Sequence, residues 1–410
     1  MIALAQGIIR RGGSVTMAGL SCPDSLVDRL QDTGIVHRFL AAEVPGSVED
    51  GMATIAMAKE LGARWIVTDG YHFGYDFQKQ VKDAGFSLLC ADDHGYSERW
   101  HCDAILNQNL DAENWASYAN DFPDAAHLLG SSFCLLREEF ITVEGSSRRE
   151  GRPENVLVSL GGSDPDNVTE NALKLLEAAG TRPLNIRVLV GPDNTHLESI
   201  QAFKSKHRLS LVQNASNMPE QFEWADVVIS AAGSTCWEWL HAGLPGAVVT
   251  IADNQVPISR ALSETRPLAL GLGWGTQLTE VAQVRRLAAW MEDPDSATDQ
   301  AMARKVVDGR GADRVAAYLD GSLRICIATA GEGWMAERMK EFVSDLESRG
   351  HRVSVVMEAA AIPEGDILLL LSFWGLVRPA VLKKNTHNLV VHGSDLPQGR
   401  GWSPVTSQIL

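Results

Sequence analysis

The chain has 410 residues, 45% of them hydrophobic, enough to bury large cores and to divide into two or three domains. Its formal charge of -16 argues against a phosphate backbone or an anionic membrane as partner, because the long-range field repels both, while leaving room for a local pocket that holds one small anion. The six cysteines lie far apart with no C-x-x-C pair, which predicts reduced thiols in a reducing cytoplasm rather than a disulfide framework or zinc site.

No segment predicts insertion in a membrane. The opening "MIALAQGIIRRGG" lacks a basic stretch ahead of its apolar residues, so it does not read as a secretion signal. The longest apolar run, Ile367 to Val377, is broken by Ser372 and Gly375 and falls short of the roughly 20 residues that span a bilayer.

Short apolar strands alternate with helical patterns, the pattern of βαβ units and parallel sheets covered on both faces. "RWIVTDG" (64–70), "FSLLCADD" (86–93), "NVLVSLGG" (155–162), "NIRVLVG" (185–191), "DVVISAAG" (226–233) and "GAVVTI" (246–251) are the clearest strands, each running into a loop rich in Gly or Asp. The polar, glycine-containing stretch between Phe140 and Glu154 predicts a linker between two Rossmann-like domains, 1–142 and 153–320. A new strand (323–329) and glycine loop start a third α/β unit over 323–410.

In such sheets ligands sit beyond the carboxyl ends of strands, at helix N-termini with unpaired N–H groups. Gly161, Gly162 and Ser163 occupy such a place: glycine admits a phosphate close to the backbone, and Ser163 adds a hydroxyl. Asn167 and Glu170 have the spacing of an N-cap and its N3 partner for the next helix. The G-G pair serves equally as a plain strand-to-helix turn.

"SAAGSTCWEWLHAGLP" (230–245) repeats the arrangement with Gly233, Ser234 and Thr235 before a short helix stopped by Gly243 and Pro245. Glu238, one turn in, has two readings: capping-box partner of Thr235, or a carboxylate that accepts hydrogen bonds from the two hydroxyls of a ribose. Two phosphate-compatible loops plus that carboxylate predict a bound nucleoside diphosphate. Asn254 and Gln255, in "ADNQ" (252–255), are amides suited to sugar hydroxyls or phosphate, and equally to a surface without a role.

These motifs, with "DDHGYSERWHCDAILNQN" (92–109), "LLGSSFCLLREEF" (128–140) and "VDGRGADRV" (307–315), resemble the UDP-sugar hydrolases of pseudaminic acid biosynthesis over about residues 1–320. The resemblance implies two Rossmann-like domains in a GT-B arrangement, like that of the glycosyltransferase that makes lipid II. It implies hydrolysis of UDP-2,4-diacetamido-2,4,6-trideoxy-β-L-altropyranose without a cofactor, UDP held by the loops at Gly162 and Gly233, ribose on Glu238, and Asn254 and Gln255 near the diphosphate or sugar. Tyr71, in "TDGYHF", matches the family's aspartate-x-tyrosine motif beside the reacting sugar, and Asp92 and Asp93 end a strand where they could orient a histidine or a substrate hydroxyl. His94 reads as a loop residue without a catalytic task, and His101 and Asp103 as buttresses of the fold.

The family's base is a histidine in a G-x-G-H-x-x-R loop after the first strand. This sequence opens at what matches the following helix, so strand and loop are expected to be missing and turnover impaired. The alternatives are a GT-B glycosyltransferase that passes the sugar from a UDP donor to an acceptor, and a non-catalytic UDP-sugar binder. The third unit ends in "NLVVHGSDLPQGRGWSPVTSQIL" (388–410), which resembles the N10-formyltetrahydrofolate-dependent formyltransferases, with His392 at the position of the catalytic histidine. Val390 replaces that family's asparagine, and its catalytic aspartate would lie past Leu410, so only part of such a domain is implied. No oligomeric state follows from the sequence.

Overall fold

The computed structural model describes residues 1–391 apart from 94, 96–98, 113–117, 119–121, 123–124, 142–150, 181, 216, 295–299, 330–333 and 374, with backbone alone for 24, 25, 28, 300, 301 and 334–337. Two compact units form: residues 1–6 with 16–312, and residues 7–15 with 313 onward. Every strand pair is parallel. Parallel sheets need helices on both faces, which is what the alternation of short apolar runs and amphipathic stretches supplies.

In the first unit, β1 (Thr16–Gly19) pairs with β2 (Val36–Phe39), while β3 (Trp65–Asp69), β4 (Ser87–Ala91), β5 (Ala104–Asn107) and β6 (Ala126–Leu129) form a four-stranded sheet in chain order. Among the described residues no strand joins the two sheets.

A six-stranded sheet follows, built from β7 (Asn155–Ser159), β8 (Asn185–Val190), β9 (Arg208–Gln213), β10 (Val227–Ala231), β11 (Gly246–Thr250) and β12 (Ala269–Trp274), in the order β12-β11-β10-β7-β8-β9. Side chains alternate between its faces with the period of two that a strand imposes. Leu157, Val228 and Val248 enter one core, with Trp237, Trp239 and Leu262; Val156, Val158, Val227, Ile229, Ala247 and Val249 enter the other, with Leu173, Leu176 and Leu287. Each fully buried aliphatic side chain stabilises by about 1.5–3 kcal/mol, so the central strands are the firmest part of the unit. The order reverses at β7, whose neighbours are β8 on one side and β10 on the other.

The second unit has one parallel sheet, β14 (Arg352–Val356), β13 (Arg324–Thr329), β15 (Gly365–Leu371) and β16 (Asn385–Val391) in that order. Residues 7–15 are fastened to it by Arg11. Its Nη1 donates to both carboxylate oxygens of Asp366 at 2.9 Å, and its Nη2 to the carbonyl of Ser322 and, at 3.3 Å, to Asp320. Asp366 also accepts from the Arg324 amide at 2.6 Å, so the buried acid and the buried cation satisfy one another. Without Arg11 the buried Asp366 keeps only the Arg324 amide and the more distant Arg324 guanidinium at 3.4 Å, and loss of one partner of a buried pair costs up to about 3–5 kcal/mol. Arg11→Ala is therefore expected to give this unit an earlier melting transition in differential scanning calorimetry of the full chain; a transition within about a degree of wild type would contradict the assignment of Arg11 as its anchor.

Candidate active site

The site rests on the reversal of strand order in the six-stranded sheet. β7 and β10 are adjacent and in register, Ser159 opposite Ser230, so the segments 160–163 and 232–235 leave the sheet side by side at the same end. A crevice outside the carboxyl ends of strands at such a switch point is where open α/β sheets take their ligands.

Gly161 has φ +92, a conformation that favours glycine, and Gly162 has open space where a Cβ would stand. Gly191, at the end of β8, packs so closely that a Cβ there would come within 2.3 Å of the Gly162 carbonyl oxygen. This third glycine escaped the sequence reading because its role is a close approach between loops 29 residues apart. Ser163 and Ser234 are exposed on the two loops, and Gly233, Ser234 and Thr235 lead directly into the Thr235–Ala242 helix, whose first N–H groups have no partner within the helix.

The helix that follows the first loop, Val168–Ala179, is capped otherwise than its sequence suggests. Asn167 is left-handed (φ 51) and its side chain makes no capping bond to the backbone. Asp164 does that work: one carboxylate oxygen accepts from the Val168 amide at 2.8 Å and the other from the Thr169 amide at 3.0 Å. Asn167 instead donates to the Glu170 carboxylate at 2.9 Å. The D-P-D-N loop turns back far enough for the earlier, shorter acid to reach the helix. Loss of a cap costs roughly 0.5–2 kcal/mol, so Asp164→Ala should lower the melting temperature by several degrees and Asn167→Gly should change it by less, as read by thermal denaturation.

Glu238 is not a capping partner of Thr235. Its carboxylate is 3.4 Å from Nη2 of Arg137, 101 residues earlier, and Arg137 Nη1 lies 3.0 Å from Glu139, which Arg29 meets at 2.9 Å. The ion pair thus links the half of the unit that carries β1–β6 to the half that carries β7–β12. Burial raises the Glu238 carboxyl to about 7, against the pull of Arg137. Arg137 sits in "LLREEF", but nothing local in the sequence marks it as the partner of an acid so far along the chain.

A second contact crosses between the same halves. Tyr71, just past β3 and 56% exposed, donates its hydroxyl to Asp93 at 2.7 Å, and the side chain of Asn254, just past β11, stands near enough to pull the phenol's proton affinity down. Burial and the neighbouring carboxylates push the phenol up to about 12, so it stays protonated at neutral pH and acts as a donor. Gln255 accepts from the Ile251 amide at 3.1 Å and lies 3.8 Å from where a Cβ on Gly233 would stand, closing the 251–255 turn against the second glycine loop.

Asp92 has a different fate. It is 7% exposed and accepts from the amides of Asp93 (2.8 Å) and Gly95 (2.9 Å) and from the hydroxyl of Tyr118, which Asn107 also contacts at 2.8 Å. Asp103 accepts from Lys82 and from the Leu88 amide, tying the Tyr75–Asp83 helix to β4 as a buttress. His94 and His392 lie outside the described residues, as does the rest of the 388–410 motif from residue 393 on. Among the described residues no group of His, Cys, Asp or Glu could hold a metal ion, and no helix is long and apolar enough to cross a membrane. All six cysteines are free thiols.

Residues 156–261 match the C-terminal domain of glycosyltransferase family 28, a span that holds both glycine loops, Glu238, Asn254 and Gln255. An uncharacterised protein of Methanocaldococcus jannaschii is 25% identical over 199 residues, covering 47% of this chain and 40% of the relative. The spore coat polysaccharide biosynthesis protein SpsG of Bacillus subtilis is 25% identical over 196 residues, 46% of this chain and 57% of the relative. The matches thus take in about half the length of these relatives. Among solved structures, the spinosyn rhamnosyltransferase SpnG complexed with thymidine diphosphate is similar with a TM-score of 0.54 and 15% identity over 77% of this chain and 94% of its own. The fold is that of the GT-B glycosyltransferases.

The raised Glu238 carboxyl makes stability depend on pH. An unfolded glutamate releases its proton near pH 4.3, whereas this one holds it in the folded state until about pH 7. Stability contributed by the retained proton is therefore present below the unfolded value, falls as pH rises from about 4.5 to 7, and is level above that. The shift corresponds to a swing on the order of 3 kcal/mol. Melting curves from pH 4.5 to 8 should show this decline in wild type and its loss in Glu238→Gln; parallel curves would contradict it.

Proposed function

We propose that residues 16–312 form a glycosyltransferase that takes a nucleoside-diphosphate sugar as donor. The observation that carries this reading is the pair of glycine loops set side by side at the switch point, with Glu238 one turn into the helix after the second. Backbone N–H groups at Gly162, Ser163, Ser234 and Thr235 would meet the diphosphate, whose negative charge the start of the Thr235–Ala242 helix favours. Glu238 would accept from the ribose hydroxyls, exchanging Arg137 for two neutral donors. Asn254 and Gln255 would face the junction of diphosphate and sugar, with Tyr71 opposite.

Transfer is favoured over the hydrolysis implied by the sequence resemblance because the matched family domain and the spinosyn enzyme are both glycosyltransferases, and the likeness to SpsG points to polysaccharide assembly. Hydrolysis of the same donor stands as the second reading, supported by the aspartate-x-tyrosine motif at Tyr71 and by that tyrosine's contact with Asn254. The two differ only in what attacks the sugar, an alcohol or water.

Departure of the nucleoside diphosphate leaves negative charge on the β-phosphate, and preorganised N–H donors at both loops are the groups that would stabilise it. Calorimetric titration with UDP and TDP tests the donor site. Binding is expected for wild type, and Glu238→Ala should weaken it by roughly 10- to 100-fold, the worth of hydrogen bonds to a charged acceptor. Absence of binding by either nucleotide, or unchanged affinity in the variant, would overturn the assignment. Incubation of UDP-sugars with and without candidate alcohol acceptors then separates transfer from hydrolysis, since free sugar formed without any acceptor is the signature of water attack.

A further inference from the structure

We propose that Asp93, the neighbour of the buried Asp92, receives the proton of the attacking hydroxyl, and that Tyr71 and Asn254 aim it. This rests on the donor-binding reading given above. Consecutive residues of an extended chain point to opposite sides, and the two carboxylates at the end of β4 are separated accordingly. Asp92 turns inward, where amides of Asp93 and Gly95 and the Tyr118 hydroxyl occupy its oxygens; it locks the turn.

Asp93 turns toward the side that carries Tyr71. One of its oxygens accepts from the Tyr71 hydroxyl at 2.7 Å, and its carbonyl oxygen accepts from Asn109 at 2.6 Å, which holds the backbone beneath it. Tyr71 in turn meets Asn254, next to the Gln255 side chain that stands against Gly233. Tyr71 thus stands between Asp93 and the turn that borders the second glycine loop. Tyr71 cannot itself take the proton, since it already donates its own; the carboxylate is the basic member of the chain.

In the step this assigns, the acceptor's O–H bond breaks and its proton passes to Asp93 as the oxygen bonds to the anomeric carbon. The bond from that carbon to the diphosphate oxygen breaks at the same time, and its electron pair leaves with the nucleoside diphosphate. Asp93 then returns the proton to solvent. Tyr71 is a positioning residue here, because it orients the carboxylate through one oxygen.

The test uses the full chain, UDP as binding probe and a panel of UDP-sugars with water and simple alcohols as acceptors, UDP release being the rate measured. Asp93→Asn should lower kcat by about 10²- to 10⁴-fold, the range for loss of a general base, with KM and UDP affinity changed less than about threefold. Tyr71→Phe should lower kcat by a smaller factor with the same unchanged KM. Asp92→Asn, by contrast, should lower the melting temperature, which Asp93→Asn should not. An Asp93→Asn enzyme that keeps its kcat within about threefold overturns the proposal, as does wild type that binds UDP yet releases none from any UDP-sugar. Failure of wild type to bind any nucleoside diphosphate removes the donor site as well, and so separates failure of the donor reading from failure of the base assignment.

Discussion

Parallel pairing of β7 with β10, at the point where strand order reverses, is the constraint on which the site depends. A parallel sheet needs long crossovers, and those crossovers place a loop and a helix start at the carboxyl end of each strand. Only at the reversal do two such loops belong to crossovers that depart to opposite sides, leaving a crevice between them. Here the register Ser159 to Ser230 brings Gly161–Ser163 and Gly233–Thr235 to one level. The strands can hold that register because they are buried on both faces: Val156, Leu157 and Val158 beside Val227, Val228 and Ile229, none of them accessible to solvent.

A few long-range polar contacts complete that frame. Arg137 to Glu238 and Tyr71 to Asn254 both join the half of the first unit with β1–β6 to the half with β7–β12. Glu238 is an acid raised toward neutrality by burial and met by one arginine at 3.4 Å, a weak enough hold that under the donor reading proposed above it could exchange that partner for ribose hydroxyls. The same reasoning separates the two aspartates at the end of β4. An acid surrounded by backbone amides is a structural element, whereas one held by an exposed tyrosine faces whatever enters the crevice.

The second unit is organised differently. Its polar interior is centred on Arg11 and Asp366, which share three further partners in Ser322, Asp320 and the Arg324 amide. A guanidinium offers five donors in a fixed plane, so two of its nitrogens reach two acids and a carbonyl from one rigid group. Residues 7–15 are tied to that unit by this side chain, by Arg10, which meets Asp313 at 2.7 Å, and by Arg352, which donates to the Arg11 carbonyl at 3.1 Å. Nothing in "IIRRGG" announces it, because the acids that define it lie more than 300 residues away.

Strand positions, parallel α/β architecture and the glycine loops at 161–163 and 233–235 were legible in the amino-acid order, since they depend on local periodicity and on which residues tolerate a tight turn. The residues from Gly161 to Gln255 read from sequence do gather at one end of one sheet. What only the tertiary structure decided are the partners: Arg137 for Glu238, Asp93 rather than Asp92 for Tyr71, Asp164 rather than Asn167 for the first helix, Gly191 against Gly162, and Arg11 for Asp366. Each is a contact between segments whose meeting is set by packing of whole sheets and helices. Hydrophobic periodicity has a range of a few residues, but the direction in which a charged side chain finds its complement is a property of the assembled core.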